Sequence, residues 1–334
     1  MHCAFAHMDN LTFKVVPDGG REISAEQADR IMGDIQSMLS HVGMFIVTAE
    51  MGLQGRPPEG FDRIFDLSTD PRGHRAEENS ILGAALGKLE NTLDVAGSEI
   101  INRWLSENYA DPRYRAAVAK DLMKLCSDLE GCRLSYGRGR RTKDLMNASP
   151  ERFQKSASTE TKMFTCALAG AIYKKSDMKG RNTYYLDSGD RNSKIAIGKD
   201  FSEKNAKVCL QMGACLVSGM AVLDENDNII EIRDVCGVSD FPGIVFKRII
   251  TPNKDLALLN PMTAEVSFDR ISHKWTLTND LVGITASKAN WNEAVAAFHD
   301  YFMFVWETYV EQPKDGLSEE EIEIREYLLS LVPF

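Results

Sequence analysis

The spacing of hydrophobic positions changes twice along this 334-residue chain. In the first third it is mostly helical. Ala28, Ile31, Met32, Ile35, Met38 and Leu39 fall on one face of a helix. That helix opens at Ser24–Gln27, where the serine can cap and the glutamine three residues on can reach back. Glu77–Leu93 repeats the spacing with Ile81, Leu82, Leu86, Leu89 and Leu93, and Ile100–Tyr109 repeats it again. A further helix begins at Asp111-Pro112, a cap followed by proline at the first helical position, and runs to about Gly131. Three strands are predicted among these helices, at Leu11–Val16, Met44–Ala49 and Phe61–Leu67. The result is an α-rich domain over residues 1–131.

From Met163 the period shortens. Phe164–Tyr173 reads as a strand with a glycine that permits a bend or bulge. Asn182–Asp187 and Ser193–Ile197 read as a hairpin about Gly189-Asp190, and Phe201–Met212 as a short helix. Ala214–Leu223 and Ile229–Val235 form a second hairpin about Asp224–Asn228. Five strands with a helix between the third and fourth is the order of an OB-like β-barrel, predicted here over 163–250. In the last part of the chain, over 251–334, Ala264–Phe268, Lys274–Thr278 and Leu281–Ala286 read as three strands. A helix then opens at Asn290 with Glu293 three residues on and carries Trp291, Val295, Phe298, Phe302, Val305 and Tyr309 on one face. Ser318–Glu321 is a second capping box, and the final helix buries Ile324, Leu328 and Leu331.

Trp275, the Leu281–Ile284 run with its glycine, and Asn290–Ala294 opening the helix carry a family resemblance. Residues 264–310 resemble the HicB-like antitoxin fold, a small β-β-β-α unit. The resemblance implies a reduced ribonuclease-H-like fold without catalytic carboxylates, which binds or neutralises a partner. It makes Trp275, Trp291 and Trp306 candidate partner-binding residues. The expected fold class is therefore α+β and multidomain, with an α-rich N-terminal domain, a central OB-like barrel and a C-terminal HicB-like unit.

Charge is unevenly spread. The chain carries −10 overall, but Arg133–Lys199 holds 15 Lys and Arg against 6 Asp and Glu. Asp300–Phe334 holds 9 acids against 2 bases. A basic middle in an acidic chain suits a polyanion, a partner surface, or docking between copies in a homo-oligomer. Residues 132–162 read as a basic linker or arm, in which Arg138, Arg140, Arg141 and Lys143 have the fork geometry or charge to meet phosphate. On the barrel, Lys174, Lys175, Lys179 and Arg181 add charge, and Tyr173, Tyr184 and Tyr185 are candidate stacking platforms. Tyr184 and Tyr185 are adjacent on a strand, so one of them should face the core.

Motifs for chemistry are sparse. No Walker loop, dinucleotide fingerprint, zinc signature or nucleophile elbow is present. Seven cysteines, an odd number without C-x-x-C, fit a reduced cytoplasm, and no metal or other cofactor is expected. No apolar run or leader-like segment points to a membrane. Asp66, Asp70 and His74 could ligate a metal and Arg72 and Arg75 could meet phosphate, although Asp-Pro and Arg-Gly are also ordinary turn dipeptides. His299-Asp300 is read as a boundary pair, since adjacent helical residues diverge. These observations favour a non-catalytic cytoplasmic regulator or adaptor, antitoxin-like in its tail, that binds a protein partner and nucleic acid through its basic centre. A metal-dependent nuclease using Asp66, Asp70 and His74, and a scaffold subunit of a larger assembly, are the alternatives.

Overall fold

The computed structural model describes residues 4–8, 11–20, 22–66, 80–138, 141–146, 148–158, 163–189, 194–198, 201, 209–313 and 316–332. Among them are seven α-helices and three sheets, a mixed α/β architecture. The chain divides into two compact units, residues 1–46 with 60–161, and residues 47–59 with 162–334.

The first unit is built on a four-stranded antiparallel sheet in the order β1 (Ala4–Met8), β2 (Leu11–Pro17), β3 (Cys132–Arg138), β4 (Arg141–Asp144). Alternation sets its buried face: Leu11, Phe13 and Val15 from β2 and Leu134 and Tyr136 from β3 are buried. Helices α1 (Ala25–Glu50), α2 (Ile81–Ala96), α3 (Ile101–Asn108), α4 (Pro112–Asp128) and the single turn α5 (Gln154–Ala157) complete it, with the last residues of α1 counted in the second unit. Two of the helices start where expected, at Ser24 and Asp111, while α2 starts at Ser80 rather than at Glu77. Ser24 accepts from the Gln27 amide at 3.1 Å, Ser80 from Gly83 at 3.0 Å and Asp111 from Arg113 at 2.9 Å.

Three expectations fail here. Met44–Ala49 is not a strand but the continuation of α1. Its β-branched and aromatic residues read as strand locally, yet Leu39, Val42 and Val47 prolong the helical stripe and all are fully buried. Phe61–Leu67 is not a strand either; Phe61–Phe65 is a 3₁₀ turn that buries both phenylalanines. Phe65 packs so closely on Gly43 that a β-carbon there would sit 2.4 Å from the ring. The segment 132–162 is not a free linker. β3 pairs with β2 over seven residues, and Phe153, in the 3₁₀ turn Pro150–Phe153, is fully buried.

In the second unit five strands hydrogen-bond in a closed ring. They are β5 (Met163–Ser176), β6 (Asn182–Asp187), β7 (Lys194–Ile197), β8 (Cys215–Leu223) and β9 (Ile229–Asp240), in ring order β5-β6-β7-β9-β8. All pairs are antiparallel except β7 with β9. One strand serves two neighbours: β5 pairs with β8 up to Gly170 and with β6 from Ala171. Gly170 is the changeover, and a β-carbon there would lie 2.5 Å from Leu186 Cγ. Leu168, Ile172, Leu186, Ile195, Val217 and Ile232 fill the interior. The predicted helix at Phe201–Met212 falls largely outside the described residues.

The same unit carries an antiparallel meander, β10 (Gly243–Ile250), β11 (Asp255–Asp269), β12 (Lys274–Asn279) and β13 (Ile284–Lys288). Helix α6 (Trp291–Tyr309) lies on its buried face and α7 (Glu319–Leu331) follows. The strand expected at Leu281–Ala286 begins only at Ile284, because Gly283 takes a left-handed turn with φ 65°. Asn290 caps α6 at 2.8 Å, and Ser318 with Glu321 forms the reciprocal capping box of α7.

Candidate nucleic-acid interface

The β5–β6 hairpin is where exposed positive charge concentrates on the ring. Asp177 organises its tip: Oδ1 accepts from the Lys179 and Arg181 amides, both at 2.8 Å, and Oδ2 from Arg181 Nε at 3.0 Å. The Arg181 amide, foremost among these donors, holds the Asp177 carboxyl below the usual range. Gly180 completes the turn at φ 71°, and Met178 at the tip is fully exposed. Lys174, Lys175 and Lys179 are exposed and make no ion pair among the described residues. Lys194, at the start of β7, is exposed opposite Asp187. A lysine that is not neutralised by its own chain keeps its charge available to a phosphate.

The tyrosines divide as alternation requires. Tyr184 faces the ring interior, buried edge-to-face on Phe201 at 5.4 Å, so it is a core residue and not a stacking platform. Tyr185 points outward, opposite Tyr173 on β5 and Ala196 on β7. Tyr173 is covered from the other side by the β11–β12 turn. His273 stacks on its ring at 6.2 Å, and the Arg270 guanidinium lies 5.0 Å above it. Only Tyr185 is left as an outward aromatic beside the lysines.

That turn also fastens the meander to the ring. Arg270 donates to the carbonyls of Ile172 and Met212 at 2.9 and 2.8 Å. Asp187, nearly buried, accepts from the Gly189 amide at 2.9 Å and pairs with His273 Nδ1 at 2.8 Å. Trp275 Nε1 donates to Ser188 O at 2.7 Å. His273 sits at φ 53°, a conformation that costs a non-glycine residue free energy and is paid for by these partners. The sequence offered no signal for Arg270, His273 or Asp187, since they come together only across 80 to 100 residues of chain.

Arg138 and Lys143, in the first unit, are committed within the fold. Arg138 Nε donates to Glu90 at 2.9 Å, and Lys143 Nζ meets Asp94 at 2.6 Å and Glu90 at 3.9 Å. The bond to Asp94 holds the Lys143 amine above its ordinary pKa. Arg141 is exposed on β4, and Arg140 lies outside the described residues.

No family model, curated protein or solved structure matches this chain.

The remaining candidates also resolve. Trp275, Trp291 and Trp306, expected to meet a partner, are 0, 2 and 8% exposed; Trp275 and Trp291 pack on each other and on Phe268 and Phe241, and Trp306 stacks on Phe302. They hold the meander together and cannot present a surface. Exposed aromatic area lies instead on the outer face of α6, at Tyr301 and Phe304. His299 is not a boundary residue but fully buried. Asp66 ends the 3₁₀ turn, while Asp70, Arg72, His74 and Arg75 fall outside the described residues. Among the described residues no group of His, Cys, Asp and Glu could hold a metal, and no helix is long and apolar enough to cross a membrane.

Proposed function

We propose that this chain is a non-catalytic regulator or adaptor that binds single-stranded nucleic acid along the β5–β6 hairpin of an OB-type barrel. One observation carries the reading: Lys174, Lys175, Lys179 and outward Tyr185 share one hairpin, in a chain of net charge −10. Lysines track a phosphate backbone and an outward tyrosine gives a base a π-face to stack on. The ring order supports the barrel type. The fourth strand lies beside the first and the first three follow in sequence, which is a Greek-key order closed here by the fifth strand. The meander and α6 serve as the antitoxin-like unit, and Tyr301 and Phe304 are its contact for a protein partner, since an exposed aromatic pair is a recurrent docking feature.

Fluorescence anisotropy with labelled single- and double-stranded oligonucleotides tests the reading. Micromolar binding to single strands is expected at low salt. Lys174→Ala/Lys175→Ala/Lys179→Ala should weaken it at least about tenfold and flatten the salt dependence by roughly two units of slope, as three lost phosphate contacts require. Arg138→Ala/Lys143→Ala should leave it unchanged, because those side chains are already paired. Absence of binding at low salt, or equal loss from both sets of variants, removes the hairpin as the site.

A further inference from the structure

Helices α1 and α4 meet along a polar row rather than an apolar one at one edge of their contact. On α1 the row is Arg30, Asp34, Ser37 and His41, spaced four, three and four residues apart, which is one helical stripe. Facing it on α4 are Asp121, Lys124 and Asp128. Most of the row is paired in the ordinary way. Arg30 Nε donates to Asp128 Oδ1 at 3.1 Å, Ser37 Oγ to Asp121 Oδ1 at 3.0 Å, and His41 Nδ1 meets Asp121 Oδ2 at 2.6 Å.

Asp34 breaks the pattern. Its Oδ2 is shielded from solvent and no donor reaches it. Its neighbours in the row, Arg30 and Ser37, bond Asp128 and Asp121, which sets Asp34 against the carboxyls of α4, Asp128 among them. Two carboxylates cannot bond to each other; a bond between them exists only while one of them holds a proton. Asp128 is also the last residue of α4, where the helix dipole disfavours negative charge. Gln27 Nε2 caps the same helix end by donating to Asp128 O at 2.9 Å.

We propose that this seam is a proton-operated latch, in which Asp34 and Asp128 share one proton that ties α1 to the last turn of α4, and loss of that proton unties them.

Burial, then the hydrogen bond and charge of Asp128, with Asp121 adding and Lys124 opposing, raise the Asp34 carboxyl from 3.8 to about 6. The folded protein therefore holds this proton up to about pH 6, whereas the unfolded chain releases it near 3.8. Between those values the folded state binds more protons, so the latch contributes fully below the window and is lost as pH rises through about 6.

Hydrogen exchange of the folded protein at about pH 5 and about pH 7.5, corrected for intrinsic exchange rates, tests this. In the wild type the amides of the last turn of α4, Leu129 among them, should open about tenfold more readily at the higher pH. Two pKa units allow up to about a hundredfold, and the partial exposure of Asp34 reduces it. Asp34→Asn keeps a donor toward Asp128 at every pH, so its exchange should stay slow at both values. Asp128→Asn should do the same from the other side. The proposal is overturned if wild type and Asp34→Asn share one pH dependence, or if both variants open as readily at about pH 5 as the wild type does at about pH 7.5.

Discussion

Gly189→Ala is expected to cost the second unit roughly 4 kcal/mol, while Gly180→Ala, also at a left-handed glycine, costs about 1 kcal/mol. Both residues have positive φ, 96° and 71°. They differ in what surrounds them. A β-carbon at Gly180 meets nothing within 4 Å, so the change carries backbone strain alone. A β-carbon at Gly189 would lie 1.9 Å from Ala289 O and 2.9 Å from the Trp275 ring. Neither neighbour can yield cheaply. Ala289 O is backbone, and Trp275 is fully buried and tied to Ser188 O at 2.7 Å. The ring and the meander must separate locally to admit one methyl group. Urea unfolding followed by tryptophan fluorescence measures both variants, and equal midpoints would remove the argument. Against a typical total stability of about 5–15 kcal/mol, the first variant should be visibly unstable at room temperature.

The second large effect belongs to His299. Its Nδ1 accepts from the Ile250 amide at 2.8 Å, which places the ring proton on Nε2, and no acceptor meets that nitrogen among the described residues. The ring is fully buried, edge-on to Phe246 at 4.7 Å. Desolvation pushes its pKa from 6.5 down to about 3. The unfolded chain therefore takes up a proton below pH 6.5 that the folded state refuses, and stability falls as pH drops. Roughly 3 kcal/mol should be lost to this one group between pH 6.5 and pH 4. His299→Asn keeps an acceptor for Ile250 and cannot titrate. It should cost about 1–2 kcal/mol at neutral pH through lost packing, yet lose less on acidification. The difference between the two acid limbs of stability against pH is the readout, and parallel limbs would contradict the assignment.

Much of the architecture is legible in periodicity. Ser24, Asp111, Asn290 and Ser318 cap helices as read, because capping is a local rule that a few neighbours satisfy, whereas the cap of α2 is Ser80 and the spacing had pointed to Glu77. The five strands of the ring are legible from their alternation, and Gly170 stands where β5 changes neighbours. The failures come where distant residues decide. Met44–Ala49 has strand-like side chains, and only the burial of Val42 and Val47 along one stripe keeps it in α1. Lys143 and Arg138 look like free phosphate ligands until Glu90 and Asp94, about fifty residues earlier, neutralise them. The tryptophans were visible as landmarks, but sequence cannot tell an aromatic on a surface from one in a core. The row Arg30, Asp34, Ser37, His41 has helical spacing, but its partners on α4 lie some 80 to 100 residues away and no local pattern marks them.

The loop after α1 sets a timetable for synthesis. Asn292, at the start of α6, holds it by three bonds, accepting from the Gln54 amide at 2.7 Å and donating to the carbonyls of Gln54 and Arg56 at 2.8 and 2.9 Å. Trp291 adds a fourth to Gly52 O at 2.9 Å. These partners are separated by up to 239 residues. At ordinary ribosomal rates of about 5–20 residues per second, the loop leaves the ribosome roughly 10–50 s before Asn292 does. Throughout that interval the Gln54 amide and the carbonyls of Gly52, Gln54 and Arg56 lack the partners that Trp291 and Asn292 supply. A nascent chain halted before Asn292 should therefore expose Gly52–Arg56 to protease, and one released after Tyr309 should hide it.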